Sequence, residues 1–140
     1  MKSLCIAFLA VVLSSDIDRA NGAQIMYLAS ISDKTIVSYQ LNEKTGELTA
    51  VHTTKLPISP GPMCFSPCGN YLYAAMAGKN AKDETVNAIA SLRIVENGKL
   101  NLVTYAKIDV RVPYLQVDPT GNFAMTAPVS YTHLTLPTKA

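Results

Sequence analysis

Few side chains in this 140-residue sequence combine a reactive type with a useful spacing. Cys64 and Cys68 form a C-x3-C pair in MCFSPCGN. Structural zinc needs four Cys or His ligands, and this pair has no second pair or nearby His beside it, so no metal is expected. Arg111, in DVRVP, carries a planar guanidinium suited to a carboxylate or phosphate. Its alternative reading is an exposed Arg lying along neighbouring apolar surface. Lys79, Lys82, Asp83 and Glu84 crowd one polar stretch, read as a solvated insertion rather than a site. No cofactor-binding pattern is present, and no cofactor is expected.

The elements that must position these residues announce themselves through a repeated phrase. SPCGNYLY at 66–73 and DPTGNFAM at 118–125 share Ser or Asp, Pro, a variable residue, Gly, Asn and an aromatic, 52 residues apart. Ser or Asp first, Pro second and Gly fourth is the preference of a type I turn. Pro presets φ and Gly accepts positive φ. Strands are therefore expected on both sides: 63–65 and 114–117 before the turns, 71–75 and 123–126 after them. Tyr39, Tyr73 and Phe123 are expected to pack within this framework.

More than the turn recurs. TGEL at 45–48 matches NGKL at 97–100 at the same offset, and TIVSYQL at 35–41 matches AIASLRI at 88–94 one residue further apart. Val37, Tyr39 and Leu41 fall on one face and Ser38 and Gln40 on the other, as do Ala90, Leu92 and Ile94 against Ser91 and Arg93. A period of two marks half-buried strands, and Asn97-Gly98 marks a hairpin. One unit thus holds four strands, near 62–66, 71–76, 86–94 and 100–107. Units of this size with four strands each indicate the blade of a β-propeller, of which about four to eight close a ring.

The predicted fold is all-β: a partial β-propeller of about two four-stranded blades. An incomplete unit occupies 25–57, a full one 58–109 and the start of another 110–127. The expectation is an N-terminal fragment of a longer ring, with completion by oligomerisation as the alternative. His52 then falls on an outermost strand and is expected to face solvent. Cys64 falls in a strand and is expected to pack; Cys68 falls in a turn, exposed, and this placement does not suit a disulfide. The segments leading into the innermost strands, 57–61 and 109–113, are where a channel-facing group such as Arg111 would stand.

Both ends of the chain read differently. One Lys, ten apolar residues from Leu4 to Leu13 and a polar stretch ending near Ala23 follow the pattern of a secretory signal peptide over 1–23. The apolar run is too short to span a bilayer, so no membrane span is expected after cleavage, and the expected location is periplasmic or secreted. VSYTHLTLPTKA at 129–140 breaks the blade pattern in mid-strand and resembles translated adapter sequence; it is read as a non-native tail, and His133 carries no role. The intervening 24–128 hold nine Lys or Arg and eight Asp or Glu. Without a basic stripe, nucleic acid is not an expected partner.

The run from YLASISDKTIVSYQL through SPCGNYLYAA to DPTGNFAMTA resembles the first blades of the lactonase family, the seven-bladed propeller group that includes bacterial 6-phosphogluconolactonase. The resemblance covers about 27–127. Cys68 departs from it, since the family pattern usually has Asp there. It implies a hydrolase of carbohydrate metabolism whose partner is a small-molecule lactone, with acid, base and Arg residues in later blades; no catalytic residue of this chain matches them. The secretory signal weighs against a phosphorylated cytosolic substrate. The alternative is a non-catalytic YVTN-type propeller that binds a protein or small-molecule partner.

Overall fold

The computed structural model describes residues 24–127; the readings of a signal peptide at 1–23 and a non-native tail at 129–140 lie outside them. Among the described residues nine strands form three antiparallel sheets. The first holds β1 (Gln24–Ser30), β2 (Thr35–Leu41) and β3 (Leu48–Lys55). The second holds β4 (Pro60–Phe65), β5 (Tyr71–Lys79), β6 (Thr85–Ile94) and β7 (Leu100–Ile108). The third pairs β8 (Leu115–Val117) with β9 (Ala124–Thr126). Sequence order is spatial order within every sheet, as expected for strands joined by hairpins. No helix among the described residues is long and apolar enough to cross a membrane.

Each sheet has a leading face, toward the sheet before it, and a trailing face, toward the sheet after it. The second sheet shows both in use. Its leading face carries Met63, Leu72, Ala74, Met76, Ala88, Ala90, Leu92 and Ile94, packed with Tyr27, Ala29 and Ile36 of the first sheet. Its trailing face carries Cys64, Ala75, Tyr73 and Ile89, packed with Val112, Leu115 and Val117. The pairing register explains the sorting. Opposed residues share a face, and Leu72↔Leu92 and Ala74↔Ala90 sit on one side while Tyr73↔Ser91 and Ala75↔Ile89 sit on the other. A slip of one residue would exchange the two sets.

The period found in the sequence reappears in details of the backbone. Register shifts interrupt β2–β3 between Ser38 and Tyr39, and β6–β7 between Ser91 and Leu92, at matching repeat positions. Gly46 and Gly98 both close their hairpins in the left-handed region, at φ 74° and 73°. The alternation of β2 is confirmed, with one refinement. Ile36 and Ser38, not Val37 and Tyr39, are its fully buried residues, because the covered side of the first sheet is its trailing face. Val37, Tyr39 and Leu41 lie on its leading face and stay half-buried.

The joint between the first two sheets has a polar centre. Tyr27 and Ser38 stand opposite one another, and both are buried. The Ser38 hydroxyl donates to the Gly98 carbonyl at 2.8 Å, and Thr54 Oγ1 donates to the Leu100 carbonyl at 3.2 Å. The Tyr27 ring meets Phe65 edge-on, with centroids 5.9 Å apart. Its hydroxyl has no partner among the described residues, and burial lifts the phenol from its ordinary 10.0 to about 12. Gly98 must be glycine on two grounds: its positive φ, and a Cβ position 2.6 Å from Ile25 Cγ2 and 3.2 Å from the Tyr27 hydroxyl.

Two expectations follow. Tyr27→Phe removes an unpartnered buried hydroxyl, whose burial costs about 1–3 kcal/mol, so its urea midpoint should equal or exceed the parent's. A phenol with a raised folded-state pKa supports the fold fully below pH 10 and loses that support as pH rises toward about 12; Tyr27→Phe should flatten this alkaline loss. A clear destabilisation at neutral pH would mean that the hydroxyl has a partner. Separately, Gly98→Ala should cost roughly 1–3 kcal/mol more than Gly46→Ala, because only the first adds a steric clash to the shared backbone strain. Equal costs in chemical denaturation would contradict the packing at Gly98.

Candidate functional site

The segments that lead into the innermost strands lie at one edge of the sheets. In the first of them, Ile58 and Pro60 are almost fully buried, and the Ser59 hydroxyl donates to the Ile31 carbonyl at 2.9 Å. Ala77 N–H donates to the Ser59 carbonyl at 3.0 Å, and Leu56 N–H to the Lys34 carbonyl at 2.8 Å. Lys34 Nζ reaches the Lys79 carbonyl at 3.0 Å. Segment 57–61 therefore ties the hairpins 31–34 and 78–84 together, and Ile58, Ser59 and Pro60 are committed to packing or hydrogen bonding. The polar insertion beside it is solvated as expected: Lys79 and Asp83 form an exposed ion pair at 2.8 Å.

The second segment leaves a side chain available. Val112 is buried between the second and third sheets, while Asp109, Val110, Arg111, Pro113 and Tyr114 are exposed. Arg111 thus stands in solvent beside a fixed anchor, immediately before innermost strand β8. No hydrogen bond or ion pair from another described residue holds its guanidinium. This arrangement can bind an anion from solvent. His52 is not brought near it: it lies on outer strand β3, opposite Ser38, and is half-buried rather than solvent-facing. Among the described residues no group of three His, Cys, Asp or Glu could hold a metal ion.

The opposite edge carries the repeated turns, and they are built alike. Gly69 N–H donates to Ser66 O and Gly121 N–H to Asp118 O, each at 2.9 Å, with φ of 72° and 76° at the two glycines. The side chain of the first turn residue then reaches five residues ahead. Ser66 Oγ accepts from Tyr71 N–H at 3.0 Å, and Asp118 Oδ1 from Phe123 N–H at 2.8 Å. Asp118 also accepts from the Thr120 hydroxyl and the Thr120 N–H. These bonds, led by the Thr120 hydroxyl, hold its carboxyl below the usual range. The turn preference was legible in sequence; this long reach was not.

The two cysteines among the described residues are free, Cys64 buried and Cys68 exposed, as the sequence indicated. Burial pushes the Cys64 thiol up. The Ser66 hydroxyl, 3.3 Å away, and neighbouring backbone groups bring the Cys68 thiol down. Of the three aromatics expected to pack, Tyr73 does so against the third sheet and Tyr39 is half-buried. Phe123 is 70% exposed and corrects the expectation: its side of the third sheet faces no described sheet. Peptide-mapped alkylation should label Cys68 well before Cys64, and Ser66→Ala should move Cys68 labelling to higher pH. Equal labelling of the two thiols in the folded chain would contradict the structure.

The comparisons with known proteins agree with this architecture. No curated protein matches the sequence. A candidate 6-phosphogluconolactonase from Bacteroides uniformis superposes with a TM-score of 0.63 at 22% identity, covering 74% of this chain and 29% of its own. A second, from Bacteroides fragilis, gives the same score and identity, with 74% and 28% covered. The chain therefore spans less than a third of the structures it resembles, and the likeness establishes the fold. The sequence model described as "Lactonase, 7-bladed beta-propeller" matches residues 25–135. With three successive sheets packed leading face to trailing face, the chain belongs to the lactonase family of seven-bladed β-propellers.

Proposed function

We propose that these sheets belong to an exported propeller that opens a sugar-acid lactone by hydrolysis. The observation that carries the reading is the family match over 25–135, supported by the likeness to two candidate 6-phosphogluconolactonases. In the reaction water adds to the lactone carbonyl, a base takes its proton, and the tetrahedral oxyanion collapses with cleavage of the ring C–O bond. The product is a hydroxy acid. Base and oxyanion donors are assigned to blades beyond the sheets described. Arg111 is assigned a binding role: a solvated guanidinium before an innermost strand, suited to a carboxylate or phosphate on the substrate. The leader-like segment 1–23 supports export, and with it a substrate met outside the cytoplasm.

The test is hydrolysis of glucono-lactones, followed by acid release, with a protein carrying the complete ring and with the 140-residue chain. The complete ring should open the lactone well above the spontaneous rate, and the short chain should not. Arg111→Ala in the ring should raise KM by roughly tenfold, the equivalent of one charge-assisted hydrogen bond, and leave kcat little changed. A complete ring without turnover would reject hydrolysis and favour a binding propeller.

A further inference from the structure

The hairpin between β6 and β7 carries a reactive pair that the proposed hydrolysis does not use. At Asn97-Gly98 glycine follows asparagine; every other described asparagine precedes a residue with a side chain. A following side chain hinders approach to its own backbone nitrogen, and glycine has none. The Gly98 nitrogen can therefore attack the Asn97 side-chain amide. A bond forms from the Gly98 nitrogen to Asn97 Cγ, the Cγ–Nδ2 bond breaks, and ammonia leaves with the proton of the Gly98 nitrogen, closing a cyclic imide. Water then opens the imide at either carbonyl. Cleavage at Cγ gives aspartate. Cleavage at the backbone carbonyl carbon gives isoaspartate, with the chain rerouted through Cγ. Water is the only co-reactant. The matching hairpin of the first sheet has Thr45 before Gly46, with no amide to lose.

The closed joint blocks the first step in three ways. Attack requires the Asn97 Cβ and the Gly98 nitrogen to be nearly eclipsed about the Asn97 Cα–C bond, and a backbone at φ 57° and ψ 28° sets them on far sides of it. The Gly98 N–H donates to the Val95 carbonyl at 3.1 Å, which withholds the proton that must be lost. The residue itself is pinned by the first sheet. Its carbonyl accepts from the Ser38 hydroxyl at 2.8 Å, and its Cα packs so closely that a Cβ there would stand 2.6 Å from Ile25 Cγ2. Turning the peptide toward Asn97 Cγ means first drawing the hairpin away from Ile25, Tyr27 and Ser38.

We propose that Asn97 is a modification site gated by this joint: it is silent while the first two sheets are closed, and it converts to aspartate and isoaspartate when they part. The conversion marks the opening permanently. Either product adds a carboxylate beside Glu96. Isoaspartate also lengthens the backbone by one carbon, in a hairpin held from both sides. Gly98 then no longer fits between the Val95 carbonyl and the Ser38 hydroxyl, and the joint does not reclose as before. Both sheets of the joint lie within the described residues, so the gate does not depend on what covers their other faces.

Peptide mapping of the 140-residue chain during incubation at mildly alkaline pH tests this, since the peptide 94–99 separates Asn97 from Asn21-Gly22, the other such pair in the sequence. The folded chain should convert at Asn97 at least about tenfold more slowly than the chain in urea, the protection of a site that reacts only through opening. Ser38→Ala removes the donor to the Gly98 carbonyl and should speed conversion in the folded chain about threefold to tenfold. Val117→Ala alters the other joint, between the second and third sheets. It should lower the urea midpoint and leave conversion at Asn97 near the parent rate. The isolated isoaspartate form should unfold at lower urea than the parent. Equal conversion in folded and unfolded chains would overturn the proposal, because the hairpin then closes the imide without opening. So would equal acceleration by Ser38→Ala and Val117→Ala, because global unfolding then exposes the site. An isoaspartate form with the parent's midpoint would contradict the permanent mark.

Discussion

The fold depends on a constraint that no sheet can satisfy alone: both faces are apolar, and water must be excluded from both. A half-exposed antiparallel sheet alternates apolar and polar residues. The second sheet instead places Leu72, Ala74 and Leu92 on one side and Cys64, Tyr73 and Ala75 on the other. Burial of such surface is worth roughly 25 cal/mol per Å², so each face recruits a neighbour. The joint at Tyr27, Ser38 and Gly98 makes the recruitment directional. A hydroxyl that must find an acceptor and a glycine that admits a ring edge allow one sheet to follow another in one order and one register.

That order fixes where any chemistry can sit. Segments leading into innermost strands gather at one edge, and the turns at 66–70 and 118–123 gather at another. The turn residues spend their polar groups on the backbone: Ser66 and Asp118 accept the N–H five residues ahead. The edge around Ser59 is likewise tied by hydrogen bonds. Arg111 differs because Val112 beneath it holds the chain while its own side chain is left to solvent. A rigid scaffold with an uncommitted polar group is the usual arrangement of a binding position.

Most of the fold was legible in the sequence because repetition made the signal redundant. The 52-residue offset predicted the second sheet's four strands to within a few residues. The alternation in TIVSYQL and AIASLRI correctly separated two faces. What the sequence could not say was which face of each sheet is covered, since that depends on neighbours rather than on the strand. Hence Ser38 is buried while Tyr39 stays half-exposed, and hence Phe123, a packing residue by type, stands in solvent. The Tyr27–Ser38 pair and its echo in Tyr73–Ser91 were also missed. Their signal is present, but at an offset of 46 between the tyrosines and 53 between the serines, so no single repeat length reveals them. The site was legible only as a place: the position of Arg111 follows from blade geometry, and its chemistry from its type.

The central claim is that three sheets stack in sequence, so that among the described residues only the second is covered on both faces. Residue-resolved amide hydrogen exchange on dilute chain tests it most directly, because protection follows burial and local stability. The account predicts the slowest exchange in β5 and β6, which are paired on both sides and covered on both faces, with faster exchange in β3 and in β9. Equal protection across all three sheets, or greatest protection in the first or third, would contradict it.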